Sequence, residues 1–351
     1  MLKSARTPRP SRTRPLKALS NVTPTFSRTL ATAAMALLLA SFAGGCAKNP
    51  TSTGPVGGDA DGVNLLVYRT DRSGTAGQFD IAIFDLDESA YHGVANLNST
   101  SDESEPCLSN DGALVTFSSN RPGGTGGSDI YVYDRGLAQI VAAPGLNSAA
   151  DETCPRFAYD SVYLLFVRDS SGFGRVRRYD PTGDSLIGLP GLDAGGPHTD
   201  TAPAPDLHSH RVAFQTDRDG SWDVRVWNDG GGLATLSDLA APGADDLEPS
   251  LSADGRWLAF ASDRAGGAGG FDIYLYDLVN STFVALPGLN TAGDERHPAI
   301  NLAGSVLFLQ ARPTPSDHWN LYQYSITTHL LTQPVGAPVA ADRMQPYARV
   351  R

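Results

Sequence analysis

The chain has 351 residues, of which 41% are hydrophobic and 19% are charged, so it is long enough to bury a large core and is not disordered in composition. Its net charge is −11, and residues 1–45 contain seven of the 27 basic residues and none of the 38 acidic ones. The rest of the chain is therefore strongly acidic. Such a surface disfavours nucleic acid and anionic lipid headgroups, and it favours cations or basic partners.

Residues 1–45 are predicted to be an export signal peptide. A basic segment precedes the apolar run LATAAMALLLASFAGG, which is 16 residues long. A membrane-spanning helix needs about 20 such residues, whereas a basic segment, a shorter apolar run and a small-residue cleavage site are typical of a signal peptide.

The residues around Cys46 resemble the lipobox of bacterial lipoproteins. That resemblance implies that Cys46 is the lipidated first residue of the mature protein, with the outer membrane as the expected location. Ala43 stands where the family usually has Leu, so conventional signal cleavage remains the alternative. Residues 46–62 are rich in Gly, Pro, Ser and Thr and are predicted to form a flexible tether.

Residues 63–351 are periodic. Segments such as EPCLSNDGALVTFSS and EPSLSADGRWLAFAS recur around a proline, and the spacings between successive prolines are 49, 48, 46, 49 and 48 residues. These prolines are Pro106, Pro155, Pro203, Pro249, Pro298 and Pro346. A constant period of this size is typical of solenoids, propellers and arrays of small units.

Each repeat unit is predicted to contain four strands. A proline strand and an apolar strand flank a turn such as Asp111-Gly112, a signal for a hairpin. A Gly-rich loop then leads to a third strand, seen as DIYVYD and DIYLYD, and a short apolar stretch completes the unit. With no amphipathic helical stretch after residue 62, this pattern predicts an all-β, six-bladed β-propeller of four-stranded blades.

The two ends of the repeat region complement each other. The segment from Val63 begins at a second strand, whereas the C-terminal QPYARVR is a proline strand with nothing after it. Pairing of the C-terminal strand with the N-terminal blade would complete the sixth blade and remove two open sheet edges.

The repeated pattern of Pro, Asp-Gly, an aromatic-ended strand, Asp-Arg and Asp-Ile-Tyr-Val-Tyr-Asp resembles the propeller domain of the TolB family over residues 63–351. The resemblance implies a location in the bacterial envelope and a protein partner similar to the peptidoglycan-associated lipoprotein. TolB carries a further α/β domain before its propeller, and residues 46–62 are too few to hold one. The expectation is therefore a TolB-like envelope protein rather than TolB.

Aspartates recur about four residues before the repeat prolines and form a candidate acidic binding ring at one mouth of the channel. The candidates are Asp102, Asp151, Asp200, Asp245, Asp294 and Asp342, with Asp200 shifted by one position. Gathered carboxylates would bind a cation such as Ca²⁺ or a Lys/Arg-bearing partner loop. The alternative is that each aspartate hydrogen-bonds to backbone in its own turn.

Other polar residues are given structural roles. The Asp-Arg pairs recur in several blades, as structural contacts do, and His208 and His210 have no third ligand at metal-binding spacing. Cys107 and Cys154 flank equivalent prolines, and whether they form a disulfide is left open.

The sequence predicts a non-enzymatic binding or scaffold lipoprotein of the envelope, without a catalytic residue, a cofactor or a resident metal. It contacts the membrane only through the lipid anchor and binds no nucleic acid. One alternative is a metal-assisted propeller enzyme of the lactonase or polysaccharide lyase type. Another is a glycan-binding propeller in which Trp222 and Trp319 stack on sugar rings.

Overall fold

A computed structural model describes residues 64–70, 79–192, 195–236, 238–314, 317–334 and 345–349. These ranges form 24 β-strands in six antiparallel sheets of four strands each. Within them, no helix is long and apolar enough to cross a membrane. The predicted signal peptide, the Cys46 anchor and the tether lie outside the described residues.

Each sheet is one blade, and the strands follow each other from the channel outwards. Blade 1 contains β24 (Gln345–Arg349), β1 (Leu65–Thr70), β2 (Asp80–Asp85) and β3 (Ala90–His92). Blade 2 contains β4 (Glu103–Leu108), β5 (Leu114–Ser119), β6 (Asp129–Asp134) and β7 (Gln139–Val141). Blade 3 contains β8 (Asp151–Phe157), β9 (Leu164–Asp169), β10 (Gly174–Asp180) and β11 (Ser185–Ile187).

The remaining blades repeat this order. Blade 4 contains β12 (Asp200–Pro205), β13 (Arg211–Thr216), β14 (Asp223–Asn228) and β15 (Gly232–Leu233). Blade 5 contains β16 (Asp246–Leu251), β17 (Trp257–Ser262), β18 (Asp272–Asp277) and β19 (Thr282–Val284). Blade 6 contains β20 (Asp294–Ile300), β21 (Val306–Arg312), β22 (Asn320–Ser325) and β23 (Leu330–Thr332).

The hydrophobic core is divided among the interfaces between blades. Six clusters of buried residues each join two neighbouring blades, including the pair formed by blades 6 and 1. In one of them Leu65 and Val67 of blade 1 pack with Phe117 and Tyr133 of blade 2. Alternating side chains on a strand point to opposite faces, so each blade supplies two apolar faces and every face meets a neighbour. The six-bladed all-β propeller is confirmed.

The closure of the ring is also confirmed. Strand β24 pairs antiparallel with β1, from Leu65 opposite Arg349 to Arg69 opposite Gln345. The last strand of the chain therefore completes the first blade, as the complementary ends of the repeat region predict.

The first strands of blades 2 to 6 each contain a β-bulge next to the repeat proline. In blade 2 the register against β5 shifts between Ser104 and Cys107, and the same shift occurs in the other four blades. The residue before each proline has a positive φ between 48° and 58°, which non-glycine residues rarely adopt. These residues are Glu105, Cys154, Ala202, Glu248 and His297.

Candidate binding site in the channel

The bulged residues line a polar cavity where the first strands of blades 2 to 6 converge. The cavity has a volume of about 250 Å³, and each of these five blades contributes its own pre-proline residue to the wall. Because the five residues differ in charge and size, the cavity is asymmetric although the fold is repetitive. Sequence reasoning missed this set, and the signal that marks it is the position directly before each repeat proline.

One side of the cavity is built by Glu105 and Cys154. The carboxylate of Glu105 accepts hydrogen bonds from the backbone amide of Cys154 at 2.7 Å, from its thiol at 3.0 Å and from the hydroxyl of Ser118 at 2.9 Å. Burial and the neighbouring Glu105 carboxylate raise the pKa of the Cys154 thiol to about 12. The thiol is therefore protonated at neutral pH and is a poor nucleophile.

The opposite side is built by Glu248, Arg296 and His297. Arg296 donates from Nη2 to Glu248 at 2.6 Å, and the backbone amide of His297 donates to the other carboxylate oxygen at 2.6 Å. Although burial alone would raise it, the Arg296 guanidinium and the hydrogen bonds from Arg296 and the His297 backbone amide hold the pKa of Glu248 below its usual range. Burial lowers the pKa of His297, which favours the neutral imidazole. The charges in this corner are thus already paired within the protein.

Tyr159 closes one end of the cavity. This buried side chain of blade 3 crosses the channel and donates its hydroxyl to the backbone oxygen of Leu251 in blade 5 at 2.7 Å. The backbone oxygen of Ile300 in blade 6 lies 3.4 Å from the same hydroxyl. In the sequence, Tyr159 is distinguished as an aromatic residue at the turn position where blades 2 and 5 have Asn110 and Ala253. The cavity therefore has a floor, and its other end faces the mouth where the first strands begin.

Four of the aspartates of the predicted acidic ring lie where the first strands begin, and each bonds to the preceding blade. Asp102, Asp151, Asp245 and Asp294 each accept, through Oδ1, the backbone amide of a residue just before the third strand of that blade. The four donors are Phe79, Ser128, Trp222 and Phe271, at distances of 2.9 to 3.0 Å. These contacts are not confined to a turn of the same blade, and the second carboxylate oxygen of Asp294 accepts Nε of Arg312 at 2.6 Å. Asp342 lies outside the described residues.

Asp200 occupies a different position. It is the residue three before its proline, and it is fully buried, with both carboxylate oxygens 2.8 Å from Nη2 of Arg218. Equivalent pairs join Glu103 to Arg121 at 2.8 Å, Glu152 to Arg168 at 2.6 Å and Asp246 to Arg264 at 2.8 Å. The structural role predicted for the arginine of the Asp-Arg pairs is therefore observed. Its partner is a buried acid, and of these acids the sequence analysis singled out only Asp200, as a member of the acidic ring; its burial and its pairing with Arg218 instead give it the structural role of the other three.

The other singled-out residues are separate from the cavity, apart from Cys154. Cys107 and Cys154 are free thiols. His208 contacts Asp160 at 2.7 Å in an exposed turn, and the guanidinium of Arg312 lies over the ring of Trp319. On the outer turn of blade 1, Asp85, Glu88 and His92 have potential ligand atoms within 4.8 Å of one another. Asp85 already accepts the backbone amides of Asp87 and Glu88 there.

Comparison with known proteins supports the architecture. TolB from Acinetobacter baumannii superposes with a TM-score of 0.65 at 18% identity, over 83% of this chain and 68% of that one. A protein assigned as TolB from Agrobacterium tumefaciens gives 0.53 at 14% identity, over 82% and 99%. The chain has the TolB-like propeller fold.

The same fold also occurs in enzymes. An oligogalacturonate lyase from Vibrio parahaemolyticus matches with a TM-score of 0.53 at 12% identity, over 77% of this chain and 74% of the lyase. No protein-family model and no curated protein sequence matches the chain. Identities this low concern the fold alone, so the TolB-like propeller by itself does not separate a binding protein from an enzyme.

Proposed function

We propose that this protein is a non-enzymatic binding protein of the bacterial cell envelope, anchored through Cys46, whose propeller presents the open mouth of its channel to a protein partner. The observation that carries the proposal is the state of the ionisable groups in the channel. Glu105 and Glu248 are both engaged by neighbouring blades, and the Cys154 thiol is held protonated. A general base or nucleophile would need a free, activated group, whereas a binding surface needs a rigid one.

The proposed partner is an envelope protein similar to the peptidoglycan-associated lipoprotein, which contacts the mouth through a basic segment. The aspartates at the mouth support a basic contact, because the second carboxylate oxygen of Asp102, Asp151 and Asp245 receives no hydrogen bond from the described residues. Carboxylates at a mouth steer a cationic segment and pair with it at short range.

The test is a binding titration between this protein and the purified peptidoglycan-associated lipoprotein of the same bacterium. Asp102→Asn, Asp151→Asn and Asp245→Asn are combined in one variant. Asparagine keeps the Oδ1 acceptor used for the backbone amide and removes only the charge. We expect at least a tenfold loss of affinity, with the midpoint of thermal unfolding essentially unchanged.

A matched control removes three charges from the same blades at the closed end of the channel. Asp111, Asp160 and Asp254 each use Oδ1 to accept a backbone amide within their turn, so Asn is again nearly isosteric. The control variant is expected to bind like the wild type. An equal loss in both variants would mean only long-range charge attraction, and absence of binding by the wild type would refute the proposed partner.

The enzyme alternative has one observation in its favour, because the channel cavity contains His297 together with Glu105 and Glu248, and lyases share the fold. A metal-assisted lactonase or lyase would retain a divalent ion after purification and would lose it on His297→Ala. Metal analysis of both proteins decides between the two functions. A stoichiometric ion that depends on His297 would replace the binding proposal by the enzyme.

A further inference from the structure

In three blades an asparagine side chain caps the outer edge of the third strand. Its Oδ1 accepts the backbone amide of the second residue of that strand, and its Nδ2 donates to the carbonyl of the same residue. The pairs are Asn98 with Ile81 at 2.8 and 2.9 Å, Asn147 with Ile130 at 2.9 and 2.8 Å, and Asn290 with Ile273 at 3.0 and 3.0 Å. Both bonds can form because a primary carboxamide has one N–H on the same side as its oxygen.

Blade 4 has Ala240 at the position of these asparagines. The turn that leads to it is the same, since Leu239 donates its amide to Leu236 at 3.1 Å just as Leu146 donates to Ala143 at 3.1 Å in blade 2. The backbone of blade 4 thus keeps the turn of the capped blades, but the side chain that makes the cap is missing.

The strand residue equivalent to Ile130 is Val224, which precedes Ala240 by 16 positions, whereas Ile130 precedes Asn147 by 17. The difference lies in the outer hairpin. Asn228 is opposite Gly232 in blade 4, whereas Asp134 is opposite Gln139 in blade 2, so the hairpin of blade 4 is one residue shorter.

The peptide groups of Val224 lack the cap. The amide of Ala234 donates to the carbonyl of Val226 at 2.8 Å, so Val226 faces the outer edge of β14, and Val224, two residues earlier, faces the same edge. Strand β15 pairs only with Trp227 and Asn228, and no side chain among the described residues bonds to the Val224 amide or carbonyl. Val224 is only 3% exposed, so one donor and one acceptor are open in a largely buried place, where such groups normally have partners.

A cavity of about 280 Å³ lies against this edge. Val226, Leu236 and Leu239 form its apolar wall, and the backbone of Val224 lies beside them. Asp223 also lines the cavity, is only 7% exposed and accepts no hydrogen bond from the described residues. The cavity therefore combines an apolar wall with a donor, an acceptor and a buried acid that have no partner in this part of the chain.

The lack of a partner for Asp223 is specific to blade 4. The equivalent aspartates of blades 2 and 5 accept amides of the preceding Gly-rich loop, Asp129 from Thr125 and Asp272 from Ala268, both at 2.9 Å. The loop before Asp223 is shorter and donates no amide to it. Blade 4 thus lacks two contacts that blades 2 and 5 both have, and both gaps open into the same cavity.

We propose that this cavity binds a small ligand in which a primary carboxamide is attached to an apolar group. The asparagines of the other blades define the pose, with the ligand oxygen on the Val224 N–H and the ligand N–H on the Val224 carbonyl. The cavity is larger than a carboxamide, and its apolar wall suits an apolar remainder. A carboxylate of the same shape lacks the N–H that the carbonyl needs, and it would lie close to the Asp223 acid.

This site is on the outer part of blade 4 and is independent of the function proposed for the channel. The test uses the whole purified protein and saturation-transfer NMR on the aromatic protons of benzamide. N-methylbenzamide has a methyl group in place of the N–H beside the oxygen, and benzoate has no N–H. We expect both to give at least a tenfold smaller signal than benzamide. Equal signals from benzamide and N-methylbenzamide, or no signal from benzamide, would overturn the proposal.

Two variants locate the site. Ala240→Asn supplies the missing cap from the chain itself, so we expect the benzamide signal to fall at least tenfold, with a midpoint of thermal unfolding at or above that of the wild type. Ala241→Asn is the matched control, because it adds the same side chain one position later, where blade 2 has Ser148, and it should bind like the wild type. A folded Ala240→Asn protein that binds benzamide as the wild type does would refute the site. If that variant fails to fold, the comparison of the three ligands on the wild type still decides.

Discussion

At the scale of single residues, the thiol of Cys154 gives a direct measure of the electrostatics of the channel. It is partly exposed in the cavity, but burial and Glu105 raise its pKa to about 12. An ordinary thiol has a pKa of about 8.5, so at pH 8 the thiolate fraction falls from about one quarter to about one in ten thousand. We predict that iodoacetamide modifies Cys154 in the folded protein more than about 100-fold more slowly than free cysteine, as followed by peptide mass mapping.

The control for this prediction is Glu105→Gln. Glutamine keeps a hydrogen-bond acceptor near the thiol and removes the charge that opposes the thiolate, so the labelling rate is expected to rise at least about tenfold. Labelling of wild-type Cys154 at the rate of free cysteine would contradict the raised pKa.

Residue chemistry in the channel was only partly predictable. The repeat prolines indicate where the channel residues lie. Proline has no backbone N–H, and within sheets it is found mainly on edge strands and at bulges. The positive φ of Glu105 and Glu248, and the direction of their side chains, depend on the register of the second strand. The buried acids Glu103 and Glu152 were not predicted. Each directly follows an aspartate in the sequence, and two adjacent acidic residues are typical of a solvent-exposed loop.

At the scale of one element, β18 has an aspartate at each end, and the two have opposite pKa shifts. Burial raises the pKa of Asp272, although the amides of Ala268 and Gly269 donate to it. The hydrogen bond from Arg256 lowers the pKa of Asp277 well below its usual range. A carboxyl group whose pKa is raised in the folded state stabilises the protein at low pH, and this stabilisation is lost as the pH rises. A carboxyl group whose pKa is lowered in the folded state stabilises the protein at higher pH, and this stabilisation is lost as the pH falls.

These shifts predict opposite pH dependence for two isosteric variants. Relative to the wild type, Asp277→Asn should be destabilised at pH 7, with the difference narrowing as the pH falls below about 4, the unfolded pKa of Asp. Asp272→Asn should gain stability relative to the wild type as the pH rises above about 4. Urea unfolding between pH 3 and pH 7 measures both, and slopes of the same sign would refute the assignment.

The elements themselves were more predictable than their partners. Four strands per unit followed from alternating apolar residues between turn signals, and β6 and β18 have the predicted sequences DIYVYD and DIYLYD. The hydrogen bonds of Asn147 and Asn290 to the third strands were not predictable, because each asparagine lies 17 positions after the strand residue, Ile130 or Ile273, that it bonds. A contact of that kind is set by how the outer loop folds back, not by local periodicity.

At the scale of the whole molecule, the ring has six equivalent interfaces and one non-covalent closure. Blade 1 is where the first and last strands of the repeat region pair, and the five paired residues of β24 cover the inner edge of β1. Leu65, Leu66 and Val67 of β1 are fully buried and contribute to the cores shared with blades 2 and 6. The stability of those two interfaces therefore depends on the C-terminal strand.

Removal of residues 345–351 is predicted to open the ring. The inner edge of β1 would lose its hydrogen-bond partners, and an open edge of this kind pairs with other chains. Because 1 kcal/mol shifts the midpoint by about 2–4 °C in domains of 150–250 residues and by less in a larger one, a loss of several kcal/mol should lower the unfolding midpoint by about 5 °C or more. Differential scanning calorimetry measures the shift, and size-exclusion chromatography should show dimers or larger species.

Removal of residues 350–351 alone, which follow β24, is the matched control and should leave the protein monomeric with an unchanged midpoint. An unchanged midpoint in the longer truncation would mean that the six blades, with only three strands in blade 1, are held together without the closing strand, and that the closure contributes little to stability.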